Sequence, residues 1–124
     1  MAIYVTRWFA RWANQQGLPK ESLCRAVREM REGLYEANLG GRLLKKRIAR
    51  PGGGKRGGFR TVVATNFGGQ WFFLYGFAKS DQENIELTEL GMLRRLATDL
   101  LDMPLHELAK AQEKGKIARI DYDA

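Results

Sequence analysis

The sequence predicts an α+β fold: a small antiparallel sheet packed against N-terminal helices, followed by C-terminal helices. Three observations predict it. Apolar residues recur at helical spacing up to Leu34, three β-prone runs separated by glycine-rich turns follow between Leu43 and Phe77, and helical spacing returns from Leu90. With 124 residues, 44% of them hydrophobic and 28% charged, the chain is expected to form one domain with its own core. A single cysteine, Cys24, rules out an intramolecular disulfide and reads as a small buried hydrophobe in a reducing compartment.

Taken in order, Ile3–Val5 is a short β-prone start, and Trp8, Phe9, Trp12 and Ala13 place a helix over about Arg7–Gln15. Their aromatic rings are expected in the core. After Pro19, Leu23, Val27, Met30 and Leu34 share one helical face, and Asn38-Leu39-Gly40-Gly41 supplies the residue types that end a helix. Strands are predicted over Leu43–Arg50, Phe59–Phe67 and Trp71–Phe77, the last apolar almost throughout and therefore buried on both faces. Gly68-Gly69 suits a two-residue type I′ turn, whereas Pro51–Gly58 forms a long, basic, glycine-rich loop. Thr88 is the expected cap of a helix carrying Leu90, Leu93, Leu96, Ala97, Leu100 and Leu101. Pro104 opens another helix through Ala111, Gly115 follows it, and Ile117–Tyr122 is a final strand.

The formal charge of +7 is unevenly placed. Nine of the 21 basic residues and none of the 14 acidic ones lie between residues 38 and 80, so the remainder is slightly acidic. A cluster of one sign creates a local field that attracts polyanions, which points to nucleic acid. An acidic membrane surface fits less well, because the basic stretch lacks an amphipathic helical pattern. The longest apolar run, Trp71–Ala78, is too short to span a bilayer, and the first residues lack a secretory pattern. A cytoplasmic protein is expected.

Hairpin geometry sharpens the site. A two-residue turn at Gly68-Gly69 sets Phe67 against Gln70 and Arg60 against Phe77, with Lys79 diagonal to Arg60 on the same face. A symmetric second loop sets Ala49 opposite Arg60, with Arg47 and Lys45 continuing along that face. Lys45, Arg47, Arg60 and Lys79 then converge, and Lys55 and Arg56 overhang them. Arginine forks, lysine ammonium groups and nearby glycine amides all suit phosphate. Phe59, Tyr75 and Phe77 are candidates for stacking on bases, with core packing the competing role.

Other chemistries find less support. Lys55 is followed by Arg56, not Ser or Thr, so the glycine-rich loop is not a nucleotide-binding P-loop. The lone His106 is expected at the surface, and Asp81, Glu83 and Glu86 read as the acidic approach to a helix, not as a metal site. No cofactor is expected. RNA cleavage needs neither histidine nor metal in principle, because the 2′-OH is an internal nucleophile; the protein must orient it, neutralise phosphorane charge and move protons. Lysines crowded by like charge could serve in that last role, but arginine could not.

Three stretches resemble the HigB-like branch of the RelE/ParE toxin superfamily: Leu39–Thr61, Phe72–Ser80 with Asn84-Ile85 close behind, and Trp8–Ala13. The basic glycine-rich segment followed by Tyr75-Gly76-Phe77-Ala78-Lys79 is the most specific part. The resemblance implies a toxin of a type II toxin–antitoxin system, held by a cognate antitoxin and acting on ribosome-bound mRNA as a metal-independent endonuclease. It carries the family's site residues onto Lys45, Arg47, Arg60 and Lys79, expected to be catalytic, and Lys46, Arg50, Lys55 and Arg56 are expected to contact RNA. The RelE-like domain would span 1–124, with 103–124 a C-terminal extension. The tyrosine that some relatives carry before the final helix has no counterpart in Gln82-Glu83-Asn84-Ile85. A ParE-like inhibitor of DNA gyrase and a non-catalytic RNA-binding module remain alternatives on the same fold.

Overall fold

Thr6 sets the first junction: it ends a strand and its hydroxyl accepts the Phe9 amide at 3.1 Å, capping the helix that begins at once. The computed structural model describes residues 1–53, 57–82 and 84–121. Its elements are β1 (Ala2–Thr6), α1 (Arg7–Gln15), α2 (Lys20–Arg31), β2 (Ala37–Gly40), β3 (Leu43–Ile48), β4 (Phe59–Thr65), β5 (Gln70–Ala78), α3 (Leu87–Leu101), α4 (Leu105–Glu113) and β6 (Ile117–Arg119). The strands form one sheet in the order β2-β3-β4-β5-β1-β6. All neighbouring pairs are antiparallel except β1 and β5, which run parallel.

The α+β expectation holds, with the sheet as the middle of three layers. Phe9, Ala13, Leu23, Val27 and Met30 from α1 and α2 pack on Ile3, Leu44, Ile48, Phe59, Val63, Trp71 and Phe73. Ala97, Leu100 and Leu108 from α3 and α4 cover the other face at Tyr4, Leu43, Val62, Ala64, Phe72 and Leu74. Two covered faces explain why β5 is apolar from Trp71 onward: Trp71, Phe72 and Phe73 are all fully buried. Trp12 lies over Gly76, where any side chain would overlap its ring.

Several expectations give way to local chemistry. Helix α2 stops at Arg31, because Gly33 turns left-handed (φ 87°), and Leu34 is exposed instead of continuing the apolar face. The residues expected to end that helix form β2, which returns into β3 through Gly40, Gly41 and Arg42, all at positive φ. The cap of α3 is Glu86, not Thr88; its amide donates to Glu89 Oε1 at 3.3 Å. Pro104 occupies the cap position of α4, one residue before the helix. The final strand ends at Arg119, and Tyr122 lies outside the described residues.

The hairpin differs in a way that matters for the site. Phe67, not a glycine, takes positive φ (62°), and hydrogen bonds from Phe67 N to Thr65 Oγ1 and from Gly68 N to Asn66 Oδ1 build the turn. Thr65 therefore pairs with Trp71, one step away from the predicted register. A bulge then sets Val62 against Tyr75 and Val63 against Phe73, leaving Leu74 extra. Past that bulge the predicted alignment returns, and Arg60 pairs with Phe77.

Candidate nucleic-acid interface

Strand pairing places Arg47 directly opposite Arg60, two residues from the expected partner Ala49, and sets Lys45 opposite Val62 on the same side. A shift of two preserves the face, so the three cations still converge. Between them stands a residue the charge map leaves out. Glu36, just before β2, receives Lys45 Nζ at 3.1 Å and Arg60 Nε at 3.3 Å on Oε1, and Arg47 Nε at 3.5 Å on Oε2. The Glu36 amide donates to the Lys45 carbonyl at 2.8 Å, which fixes its backbone beside β3.

Burial pushes the Glu36 carboxyl up, but the Lys45 hydrogen bond and the charges of Lys45, Arg60 and Arg47 outweigh it, so its pKa falls below the ordinary carboxylate value. Glu36 is thus a committed anion at neutral pH. Among the described residues three cations meet on this one carboxylate, a formal excess of two positive charges within the four groups. Arg60 is deeply set, with only 7% of its side chain exposed, and its Nη1 has no hydrogen-bond partner among the described residues. Arg47 is the most open of the three. The unbalanced crowding of like charges expected from the sequence is therefore moderated by a carboxylate at its centre.

The other expected residues divide. Lys79 is exposed, one residue beyond β5, and its amide approaches the Gly58 carbonyl at 3.5 Å. Arg50 is exposed at the loop root, donating Nε to the Gly57 carbonyl and lying 4.9 Å over the Phe59 ring. Lys55 and Arg56 lie outside the described residues. Lys46 corrects the expectation of an RNA contact. The alternation of β3 turns it to the α2 side, where it is 4% exposed and bonded to Glu29 Oε1 and the Leu34 carbonyl, both at 2.7 Å. Phe59 is likewise core, fully buried against Trp12, and Phe77 is buried.

Tyr75 is the aromatic that stays partly open, on the same sheet face as Arg60 by the pairing of Val62 with Tyr75. Its hydroxyl donates to Gln82 Oε1 at 3.2 Å, and Trp8, nearly half exposed, stacks on it at 4.8 Å. Burial, then the Glu89 and Glu86 carboxylates, push the Tyr75 phenol up to about 12, which keeps it protonated. Cys24 and His106 are where the sequence puts them, one buried and one exposed. Among the described residues no group of three His, Cys, Asp or Glu side chains could hold a metal ion, and no helix is long and apolar enough to cross a membrane.

Helices on both faces of a mostly antiparallel sheet, with a cationic cluster gathered on one face, define a RelE-like α+β protein. The chain belongs to the RelE toxin family: the model of the "RelE toxin of RelE / RelB toxin-antitoxin system" matches residues 1–120. It is accordingly a toxin of a toxin–antitoxin system, with a cognate antitoxin as partner. No curated protein and no solved structure matches the chain.

Proposed function

We propose that this toxin is a ribosome-dependent mRNA endonuclease of the HigB-like kind, working in the cytoplasm on the phosphate held by Arg47 and Arg60. The observation that carries the reading is the convergence of Lys45, Arg47 and Arg60 on Glu36, a formal excess of positive charge among the described residues. In this reading the substrate's 2′-OH attacks the adjacent phosphorus, and the 5′-oxygen of the next nucleotide leaves. The products are a 2′,3′-cyclic phosphate and a 5′-OH end. The guanidinium groups of Arg47 and Arg60 oppose the charge that grows on the phosphorane oxygens. Arginine does not deprotonate in proteins, so in this reading the proton transfers fall to Lys45 or Lys79. Glu36 makes a poor general base, because its pKa is moved away from neutrality. Arg50, Lys55 and Arg56 would grip the RNA or ribosomal backbone.

Induced expression of the wild type beside Arg60→Ala, with mapping of mRNA 5′ ends, tests this. New ends inside translated codons, lost in the variant, are expected. Growth arrest with intact mRNA and a DNA-damage response would move the target to gyrase. No arrest from a folded wild-type chain would leave a non-catalytic RNA-binding role.

A further inference from the structure

Glu36 presents a physical puzzle on the reading above. An anion held among the cations of a phosphate site opposes the substrate that site should admit. Two further features bear on why it is there. Arg60, more than nine-tenths buried, directs Nη1 at no acceptor among the described residues, so the cluster has one strong donor more than Glu36 satisfies. A groove of about 300 Å³, lined by Leu34, Tyr35, Glu36, Lys46 and Arg47, opens beside the carboxylate. The Glu36 side chain, 26% exposed, sits on the segment leading into the edge strand β2, on the solvent side of the cluster it bridges.

We propose that Glu36 is a resident counter-ion that a substrate phosphate replaces at Arg60 and Arg47, making it a positioning and specificity-determining residue. This rests on the reading of the cluster as the RNA phosphate site. Empty, the cluster keeps its cations aligned by holding its own carboxylate. When RNA enters, a phosphate oxygen takes the Arg60 Nε donor and satisfies Nη1, and the displaced carboxylate turns toward the groove while keeping Lys45. The exchange gives up two internal ion pairs of Glu36, those with Arg60 and Arg47, for each phosphate bound. A stray polyanion must therefore compete with Glu36, and only RNA presented with additional contacts wins that competition by a useful margin.

Binding of a short single-stranded oligoribonucleotide across a salt series tests the exchange, using wild type, Glu36→Gln, Glu36→Asp and Arg60→Ala. Glutamine keeps an acceptor for Lys45 and Arg60 but removes the charge. Glu36→Gln should bind about fivefold tighter at low salt, with a log–log salt slope steeper by about 0.7, the amount of one single-strand phosphate contact. Glu36→Asp should keep the wild-type slope, because the charge remains. Unchanged or weaker binding by Glu36→Gln, with Arg60→Ala still weakened, would overturn the exchange and leave the phosphate site standing. If Arg60→Ala binds like wild type, the site itself is wrong and the exchange falls with it. Should Glu36→Gln fail to fold, wild type titrated with inorganic phosphate gives a second test. A saturable shift of the Arg60 Nε–H resonance is expected, and a resonance that stays still overturns the proposal.

Discussion

Lys46 and its two neighbours on β3, Lys45 and Arg47, are adjacent in sequence and opposite in character. Lys46 faces α2, where Glu29 and the Leu34 carbonyl accept its ammonium group. Lys45 and Arg47 face the other way and share Glu36 with Arg60, three cations on one carboxylate among the described residues. A matched, buried pair can be explained by folding alone. A cluster that, among the described residues, has more cations than carboxylates and a buried Arg60 donor without an acceptor stores cost that packing does not require, and a bound anion would relieve it. Three consecutive basic residues thus split into a structural one and two that the proposed activity uses, by strand alternation alone.

Substitution should separate the two sides cleanly. Arg60→Ala is expected to lower RNA cleavage by about 100-fold or more, the scale seen when one preorganised oxyanion donor is lost. Measuring single-turnover cleavage beside thermal melting would show whether the loss exceeds any change in folding. Lys46→Ala should do the reverse. Removing one member of a mostly buried pair, here with Glu29 about a quarter exposed, should cost about 2–3 kcal/mol of stability by urea unfolding. The salt slope of RNA binding should not change. If Lys46→Ala altered that slope as Arg60→Ala does, the division of β3 into two sides would fail.

Much of this division is legible in the sequence, and the rest is not for identifiable reasons. Alternation of Leu44 and Ile48 against Lys45 and Arg47 fixes the faces, because each face has a core to satisfy. The pairing of Arg60 with Phe77 also emerges, though through two departures that offset each other. The turn centres on Phe67 instead of the glycine pair, and the bulge at Leu74 restores the register. No local pattern announces a bulge inside an apolar run. Lys46 is misplaced only when the basic stretch is treated as one surface; its strand parity already assigns it to the core side. Glu36 escapes because it lies two residues before the acid-free stretch, and its role depends on β2, a strand hidden under helix-ending residue types. The signal available was its isolation: the last carboxylate before nine cations.

Acid provides a smaller test of the same contrast. The Glu36 carboxyl lies below its ordinary value of 4.5 in the folded protein, so its stabilising contribution is present above that value and is lost as pH falls through the folded one. Asp121, held low by Arg119 and by the Ile3 amide against a burial cost, adds to the same limb from 3.8 downward. Urea midpoints followed from pH 6 to about pH 3 should decline, and Glu36→Gln should flatten part of that decline. The smallest effect is expected at Arg42 and Asp102, an ion pair at 3.0 Å on the open surface. Asp102→Asn should leave the melting midpoint within error, as exposed pairs commonly do.

The most direct measurement is cleavage of a defined mRNA on programmed ribosomes by purified wild type, Arg60→Ala and Lys46→Ala. Cuts at a translated codon are expected from wild type and, at temperatures where it is folded, from Lys46→Ala, with cleavage by Arg60→Ala lower by about 100-fold or more. Cleavage by a folded Arg60→Ala at the wild-type rate would contradict it, and would move the chemistry away from the Glu36 cluster.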